Sequence, residues 1–207
     1  MIRVLLADDQ ALVRQALAAL LDLEPDLAVV GQAADATTAV QLAVEHRPDV
    51  VLMDVQLSPV PGSADDGIAA TARIVAHQPQ TRVIIVTTFG RPGYLRRAME
   101  AGAVGFMVKD APAAQLIDGI RRVHRGLRVV DPTLAADSLS LGESPLTERE
   151  TEVLLAAARG GSTGEIARRV FLSEGTVRNH LSAAMGKLGA GTRAEAVRIA
   201  TDQGWLG

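Results

Sequence analysis

Five polar residues of this 207-residue sequence each follow a short apolar stretch and could carry chemistry together. They are Asp8, Asp9, Asp54, Thr87 and Lys109. Three carboxylates at one place repel one another unless a cation lies among them, and Mg²⁺ prefers oxygen ligands of this kind. If Asp54 accepts a phosphoryl group, Lys109 supplies a positive charge to it and Thr87 a hydrogen bond. A simpler interpretation of Asp54 alone is that it begins a turn, as aspartate often does.

The elements that would position these residues alternate between strand and helix. The stretch Asp49–Asp54 has four apolar residues before its last carboxylate, which is typical of a strand buried on both faces of a parallel sheet. Such strands end at one edge of the sheet, about 5 Å apart, so their terminal side chains converge. The pattern therefore predicts an α/β fold with a doubly wound, five-stranded parallel sheet. The predicted strands are 2–7, 27–33, 49–53, 82–87 and 104–108, and the predicted helices are 10–23, 36–46, 67–77, 92–101 and 112–125.

The remainder of the chain is predicted to be helical. Thr147 and Ser162 each begin a capping box with a glutamate three residues later, and Ser173 is a simpler N-cap. Asp131-Pro132 predicts a short helix to about Leu141, and 140–145 has the composition of a linker. The expected domains are 1–125, a linker with a short helix at 126–145, and a small all-α domain at 146–207. Its predicted helices are 148–159, 163–169, 174–188 and 192–203.

Composition limits the classes of protein that fit. The sequence is 48% hydrophobic but 2% aromatic, so its cores must be built from Ala, Val, Leu and Ile. It has no cysteine, which excludes disulfides and thiolate metal sites. No apolar stretch reaches the roughly 18 residues of a membrane span, and no signal peptide is visible. We therefore expect a cytoplasmic protein with no membrane partner.

Residues 1–125 resemble the receiver domain of two-component response regulators, with Asp8-Asp9, Asp54, Thr87 and Lys109 carrying the match. The resemblance implies that Asp54 is the phosphoacceptor, acting with Thr87 and Lys109. It also implies that Mg²⁺ is bound by Asp9, Asp54 and the backbone carbonyl of Gln56, with Asp8 assisting. Thr87 would act in the switch together with the aromatic residue Phe106.

The chain departs from the receiver pattern at three places. The glycine expected about eight residues after the phosphoacceptor has its nearest equivalent in Gly67, thirteen residues on, after a longer loop at Leu57–Asp66. Thr88 replaces a small residue, which would narrow access to the phosphoryl group. Phe106 lacks the hydroxyl of the tyrosine often found there, and the alternative interpretation is a simple core residue.

Two helices joined by 170–173 are typical of a helix-turn-helix. On the second helix the apolar positions form one stripe, and Asn179 and Ser182 point away from it with Arg178 on its flank. Residues 146–207 resemble a LuxR-type DNA-binding domain. The match rests on Leu146–Glu150, Glu165–Ala167, Leu172-Ser173, Thr176–His180, Lys187–Gly189 and Arg193–Ala196. By that resemblance Arg178, Asn179 and Ser182 face the major groove, and Thr176 and Lys187 contact phosphates.

Together the two resemblances imply a DNA-binding transcriptional response regulator of the NarL/FixJ class, not an enzyme that turns over a substrate. Its expected partners are a sensor histidine kinase, double-stranded DNA and a second copy of itself upon activation. One alternative is a regulator that works without phosphorylation. Another is an aspartyl-phosphate hydrolase, which usually has a second acid where this chain has Gln56. A flavin-binding domain lacks support because no phosphate-binding loop follows the first strand.

Overall fold

The structure is a computed structural model that describes residues 1–57, 66–88, 92–132, 134–136, 144–203 and 205–206. Most of the predicted loop Leu57–Asp66, the end of the predicted short helix and most of the linker at 140–145 therefore lie outside the described residues. The chain divides into two compact units, the first of which ends at Ala135. Each unit is described by itself.

The first unit is a parallel sheet with helices on its faces, as the sequence predicts. Its strands lie in the order β2-β1-β3-β4-β5-β6. The strand count is one higher than expected, because Val129–Val130 pairs with β5 in the segment that was assigned to the linker. The strands are β1 Ile2–Ala7, β2 Leu27–Ala33, β3 Val50–Met53, β4 Arg82–Thr87, β5 Gly105–Val108 and β6 Val129–Val130; the helices are α1 Ala11–Leu21, α2 Ala36–His46, α3 Gly67–His77, α4 Pro92–Glu100 and α5 Ala113–His124.

Aliphatic side chains fill the interior of this unit. On one face of the sheet, Leu6, Leu52 and Ile84 pack with residues of α1 and α5 such as Leu21 and Ile120. Residues that alternate with these along each strand are buried on the other face, since successive side chains of a strand point to opposite sides. A sheet buried on both faces fixes the ends of β1, β3, β4 and β5 as a rigid frame for the polar residues that follow them.

In the described residues of the second unit there are four helices, which we label α6 Glu148–Ala158, α7 Thr163–Arg169, α8 Glu174–Leu188 and α9 Arg193–Asp202. Both predicted capping boxes are present, and Ser173 accepts a hydrogen bond from the backbone of Thr176. Residues from all four helices form one core, including Leu154, Ile166, Val177 and Ala196. Among the described residues, no helix has the length and apolar character needed to cross a membrane.

Candidate functional site

The ends of β1 and β3 bring the predicted carboxylates together. Ala7 lies opposite Met53 in the parallel register, and the amide of Asp54 donates to the carbonyl of Ala7 at 2.8 Å. One ligand oxygen from each of Asp8, Asp9 and Asp54 lies within 4.8 Å of the others. Asp8 and Asp54 are buried, whereas Asp9 is partly exposed. The three acids predicted from the sequence therefore form one cluster at the carboxyl edge of the sheet.

Lys109 neutralises part of this cluster. Its Nζ lies 2.6 Å from Oδ2 of Asp8 and 2.7 Å from Oδ2 of Asp54, and its side chain is 12% exposed. Burial raises the pKa of Asp54, and the hydrogen bond and charge of Lys109 offset this effect only in part. Burial also opposes the charge of Lys109, but its bonds to Asp54 and Asp8 outweigh that penalty and raise its pKa. The carboxylate of Asp54 is thus held by the ammonium group of Lys109.

The remaining predicted residues of this site lie at the same edge or behind it. The amide of Gln56 donates to Oδ1 of Asp54 at 3.3 Å. Thr87 is buried at the end of β4, where its carbonyl accepts from the amide of Lys109 at 2.8 Å. Phe106 is fully buried in β5, the position expected of a core residue. Gln56 and Lys109 therefore contact the carboxylate of Asp54, and Thr87 bonds to the backbone of Lys109 at the end of the neighbouring strand. The ring of Phe106 lies in the interior.

Gly67, which lies thirteen residues after Asp54, packs directly against the backbone of Asp54. A Cβ atom on Gly67 would lie 1.8 Å from the carbonyl oxygen of Asp54, and its amide donates to the carbonyl of Val55 at 3.1 Å. Asp66 caps the same helix by accepting from the amide of Ala69. The absence of a side chain at Gly67 thus allows α3 to begin directly against the backbone of Asp54.

The chemistry of the cluster fits a hard divalent cation. Its donors are carboxylate oxygens from three residues, and Mg²⁺ is usually bound by one or two carboxylates together with water and phosphate oxygens. Neutral or soft ligands such as imidazole and thiolate are absent from the three residues of the cluster. Asp8, Asp9 and Asp54 are the residues that would hold the ion.

Arg14 contacts this site although the sequence analysis did not single it out. Its Nη1 donates to the main-chain carbonyl of Asp8 from helix α1. Gln10 also contacts Asp8, because its amide donates to Oδ1 at 2.9 Å. The turn formed by Asp8 and Gln10 is a common aspartate turn that the sequence could have suggested. The contact of Arg14 depends on the direction in which α1 packs on the sheet, which no local sequence pattern indicates.

The predicted DNA-facing residues lie on the exposed side of α8. Arg178, Asn179 and Ser182 are exposed, while Val177 and Leu181 on the same helix are buried in the core. The helix thus presents groups that can bond to base edges on the side away from its apolar contacts. Thr176 lies in the first turn of this helix, and its hydroxyl shares a 2.8 Å hydrogen bond with that of Ser173.

Lys187 has an intramolecular partner that the sequence analysis did not identify. Its Nζ lies 2.7 Å from Oε2 of Glu150, whose side chain is 6% exposed. Burial opposes the charge of Glu150, but the bonds from Lys187 and Thr147 outweigh it and lower the pKa of that carboxyl. The ion pair ties the end of α8 to the start of α6. An ammonium has three donors, so a phosphate contact by Lys187 would have to be made alongside this pair.

Comparison with known proteins identifies both units. Residues 4–121 match the model of the response regulator receiver domain, and residues 144–200 match that of the bacterial regulatory proteins of the luxR family. The chain is similar to the uncharacterized transcriptional regulatory protein YvfU of Bacillus subtilis (strain 168), at 41% identity over all of both chains. It is also similar to the transcriptional regulatory protein DesR of the same strain, at 39% identity over all of both chains. Among solved structures, the response regulator ChrA of a heme-sensing two-component system is 35% identical with a TM-score of 0.57, covering 98% of this chain and 97% of that one.

Proposed function

Because the chain belongs to the two-component response regulators that join a receiver domain to a LuxR-type DNA-binding domain, we propose that a sensor histidine kinase phosphorylates it on Asp54. Phosphorylation then controls dimerisation and promoter binding in the cytoplasm. The observation that carries the proposal is the carboxylate of Asp54, which lies beside Asp8 and Asp9 and is held by Lys109. The proposed limits of the units are 1–125 for the receiver, 126–145 for the linker and 146–207 for the DNA-binding domain.

The transfer needs little covalent chemistry from the protein. A carboxylate oxygen of Asp54 bonds to phosphorus as the bond from phosphorus to the donor's imidazole nitrogen breaks, and the imidazole leaves with that electron pair. A bound Mg²⁺ would supply positive charge to the phosphoryl oxygens from a site made by Asp9, Asp54 and the carbonyl of Gln56, with Asp8 assisting. Burial of Asp54 keeps water away from the acyl phosphate.

The new charge also explains how the site acts as a switch. A phosphoryl group brings roughly two negative charges to Asp54. The ammonium of Lys109 then exchanges an oxygen of Asp54 for a phosphoryl oxygen, and the hydroxyl of Thr87 donates to another. Both residues end strands, so their movement is passed to α4 and α5, which follow. Phe106 lies in β5, three residues before Lys109 and opposite Ile85 of β4, and would respond by repacking.

The second unit supplies the output of the switch. Arg178, Asn179 and Ser182 would read base edges in the major groove, and Thr176 and Lys187 would contact phosphates. One such helix reads only a few base pairs, so two copies on two half-sites are expected. Tethering two copies can raise affinity by about 10²–10⁴ without any new DNA contact.

Labelling with acetyl phosphate and Mg²⁺ tests the acceptor. Wild-type protein and Asp110→Asn, which changes an exposed acid next to Lys109, should incorporate phosphate, whereas the nearly isosteric Asp54→Asn should not. Beryllofluoride with Mg²⁺ should convert the wild-type protein, but not Asp54→Asn, to a dimer, as measured by sedimentation. Stable labelling of Asp54→Asn would overturn the acceptor assignment. A folded wild-type protein that binds DNA without being labelled would instead identify a regulator that works without phosphorylation.

A further inference from the structure

We propose that Arg14 is a positioning residue for the divalent-cation site, because it fixes the main chain that carries Asp8 and Asp9. This inference rests on the proposed Mg²⁺ site and adds to it a residue that does not itself contact the ion. The contact that carries it is the hydrogen bond from Nη1 of Arg14 to the carbonyl oxygen of Asp8.

That carbonyl is well placed to control a metal ligand. The carbonyl of Asp8 and the amide of Asp9 belong to the same planar peptide unit. A donor that restrains the carbonyl oxygen therefore restrains the direction in which Asp9 leaves the strand. Asp9 is the more exposed acid of the cluster, and it directly follows a residue that the surrounding structure holds tightly.

The other polar groups of Asp8 are already held by different parts of the unit. Its amide donates to the carbonyl of Ala33 in β2 at 3.0 Å. Its Oδ1 accepts from the amide of Gln10, and its Oδ2 contacts Lys109 at 2.6 Å. Arg14 adds the restraint on the carbonyl, so all the hydrogen-bonding groups of Asp8 have partners. This loop is thereby fixed before any ion binds, which removes part of the ordering that binding would otherwise require.

The position and the charge of Arg14 predict opposite effects on Mg²⁺ affinity when the residue is replaced. None of the ion pairs formed within the described part of the chain includes its guanidinium, so this cation lies near the carboxylate cluster without a carboxylate partner of its own. Its charge alone would repel Mg²⁺, and removing it would then tighten binding. If its main role is to hold the loop, removing it weakens binding. The sign of the change therefore separates the two roles.

The same strand offers a matched control at its other end. Arg3, near the start of β1, donates from Nη2 to the carbonyl of His46 at 2.7 Å. Replacing Arg3 removes one guanidinium–carbonyl bond of the same kind, at a point several residues away from the carboxylates. If the bond of Arg14 only stabilises the fold, Arg3→Met and Arg14→Met should therefore change Mg²⁺ affinity to the same extent. Methionine keeps most of the apolar stem in both variants, which favours folding.

The experiment is calorimetric titration of the full chain with Mg²⁺. Arg14→Met should bind Mg²⁺ about ten- to a hundredfold more weakly than wild type, the usual loss when the partner of a metal ligand is removed. Arg3→Met should bind as wild type does, and Arg14→Lys should recover part of the loss because its ammonium can donate to the same carbonyl.

Each other result contradicts the inference in a distinct way. Arg14→Met that binds as tightly as Arg3→Met would show that the contact only stabilises the fold. Tighter binding by Arg14→Met would show that charge outweighs position. If the wild-type chain does not bind Mg²⁺, the proposed metal site itself is wrong. If wild type binds Mg²⁺ and Arg14→Met binds it equally well, only the role of Arg14 is wrong, and the metal site and the phosphorylation of Asp54 are unaffected.

Discussion

Gly67→Ala would test how tightly α3 begins against the backbone of Asp54. The added Cβ would lie 1.8 Å from the carbonyl oxygen of Asp54 and 3.2 Å from Cγ of Met53. Carbon and oxygen atoms in contact are normally about 3.3 Å apart, so one backbone must move by about 1.5 Å. The backbone of Gly67 is not in the left-handed region, so the whole penalty is steric.

The size of the effect follows from that overlap. Over-packing in a well-filled interior typically costs about 1–3 kcal/mol. Alanine gains up to about 1 kcal/mol over glycine inside a helix, but less at the first helical residue, where Gly67 lies. We therefore expect the free energy of unfolding of the first unit to fall by about 2 kcal/mol, or about 6–10 °C in Tm for a domain of this size. Because the strained atom belongs to Asp54, Mg²⁺ affinity should fall as well.

The assay is urea and thermal unfolding followed by circular dichroism, together with Mg²⁺ titration. Gly186→Ala is the control, since no atom lies within 4 Å of a Cβ at that position in α8. It should stabilise the second unit by about 0.5–1 kcal/mol through helix propensity. If Gly67→Ala unfolds within about 0.5 kcal/mol of wild type and binds Mg²⁺ normally, a range typical of unstrained surface changes, the close approach of α3 to Asp54 is refuted.

The remaining predictions concern one buried acid and the DNA-binding unit. Burial raises the pKa of Asp54 above 3.8, so stability from its protonated form is fully present below pH 3.8 and is lost as pH rises through the raised value. Asp54→Asn should therefore be more stable than wild type at neutral pH, and denaturation across pH should show the difference shrinking on acidification; a constant difference would contradict the buried charge. Asn179→Ala should lower discrimination between a DNA duplex selected from a random pool and an unselected one by about 1–3 kcal/mol, measured by competition binding. Lys187→Met should destabilise the second unit by about 1–2 kcal/mol, less than for a fully buried pair because Lys187 is 37% exposed. If it instead leaves stability unchanged and lowers the slope of DNA affinity against salt by about 1, its role is a phosphate contact.

Most of the fold and the acidic cluster could be predicted because they depend on local patterns. The apolar stretch before Asp54 is long enough to identify a buried strand, and the parallel arrangement then brings Asp8 to the same edge. β6 was not predicted because two valines carry no periodicity that distinguishes a strand from a loop. Its existence depends on β5 offering an unpaired edge, which is a tertiary property.

Contacts that long side chains make across the fold could not be predicted from the sequence either. Arg121 on α5 pairs with Glu24 and Asp26, nearly a hundred residues earlier, so it is engaged within its own unit. The ion pair of Lys187 with Glu150 spans most of the second unit in the same way. Sequence identifies these charges but not their partners, because flexible side chains reach many neighbours and the pairing depends on how the helices pack.

The short strand β6 connects the interior of the receiver sheet to the chain that follows it. Val130 lies beside Phe106 in the sheet, and the amide of Asp131 donates to the carbonyl of Phe106 at 3.2 Å. Asp131 in turn accepts from the amide of Leu134, at the start of the segment that leads out of the first unit. A displacement of Phe106 along β5 would therefore be passed by direct hydrogen bonding to the chain where it leaves the first unit. The edge strand β6 thus links the sheet directly to the chain segment that leaves the first unit.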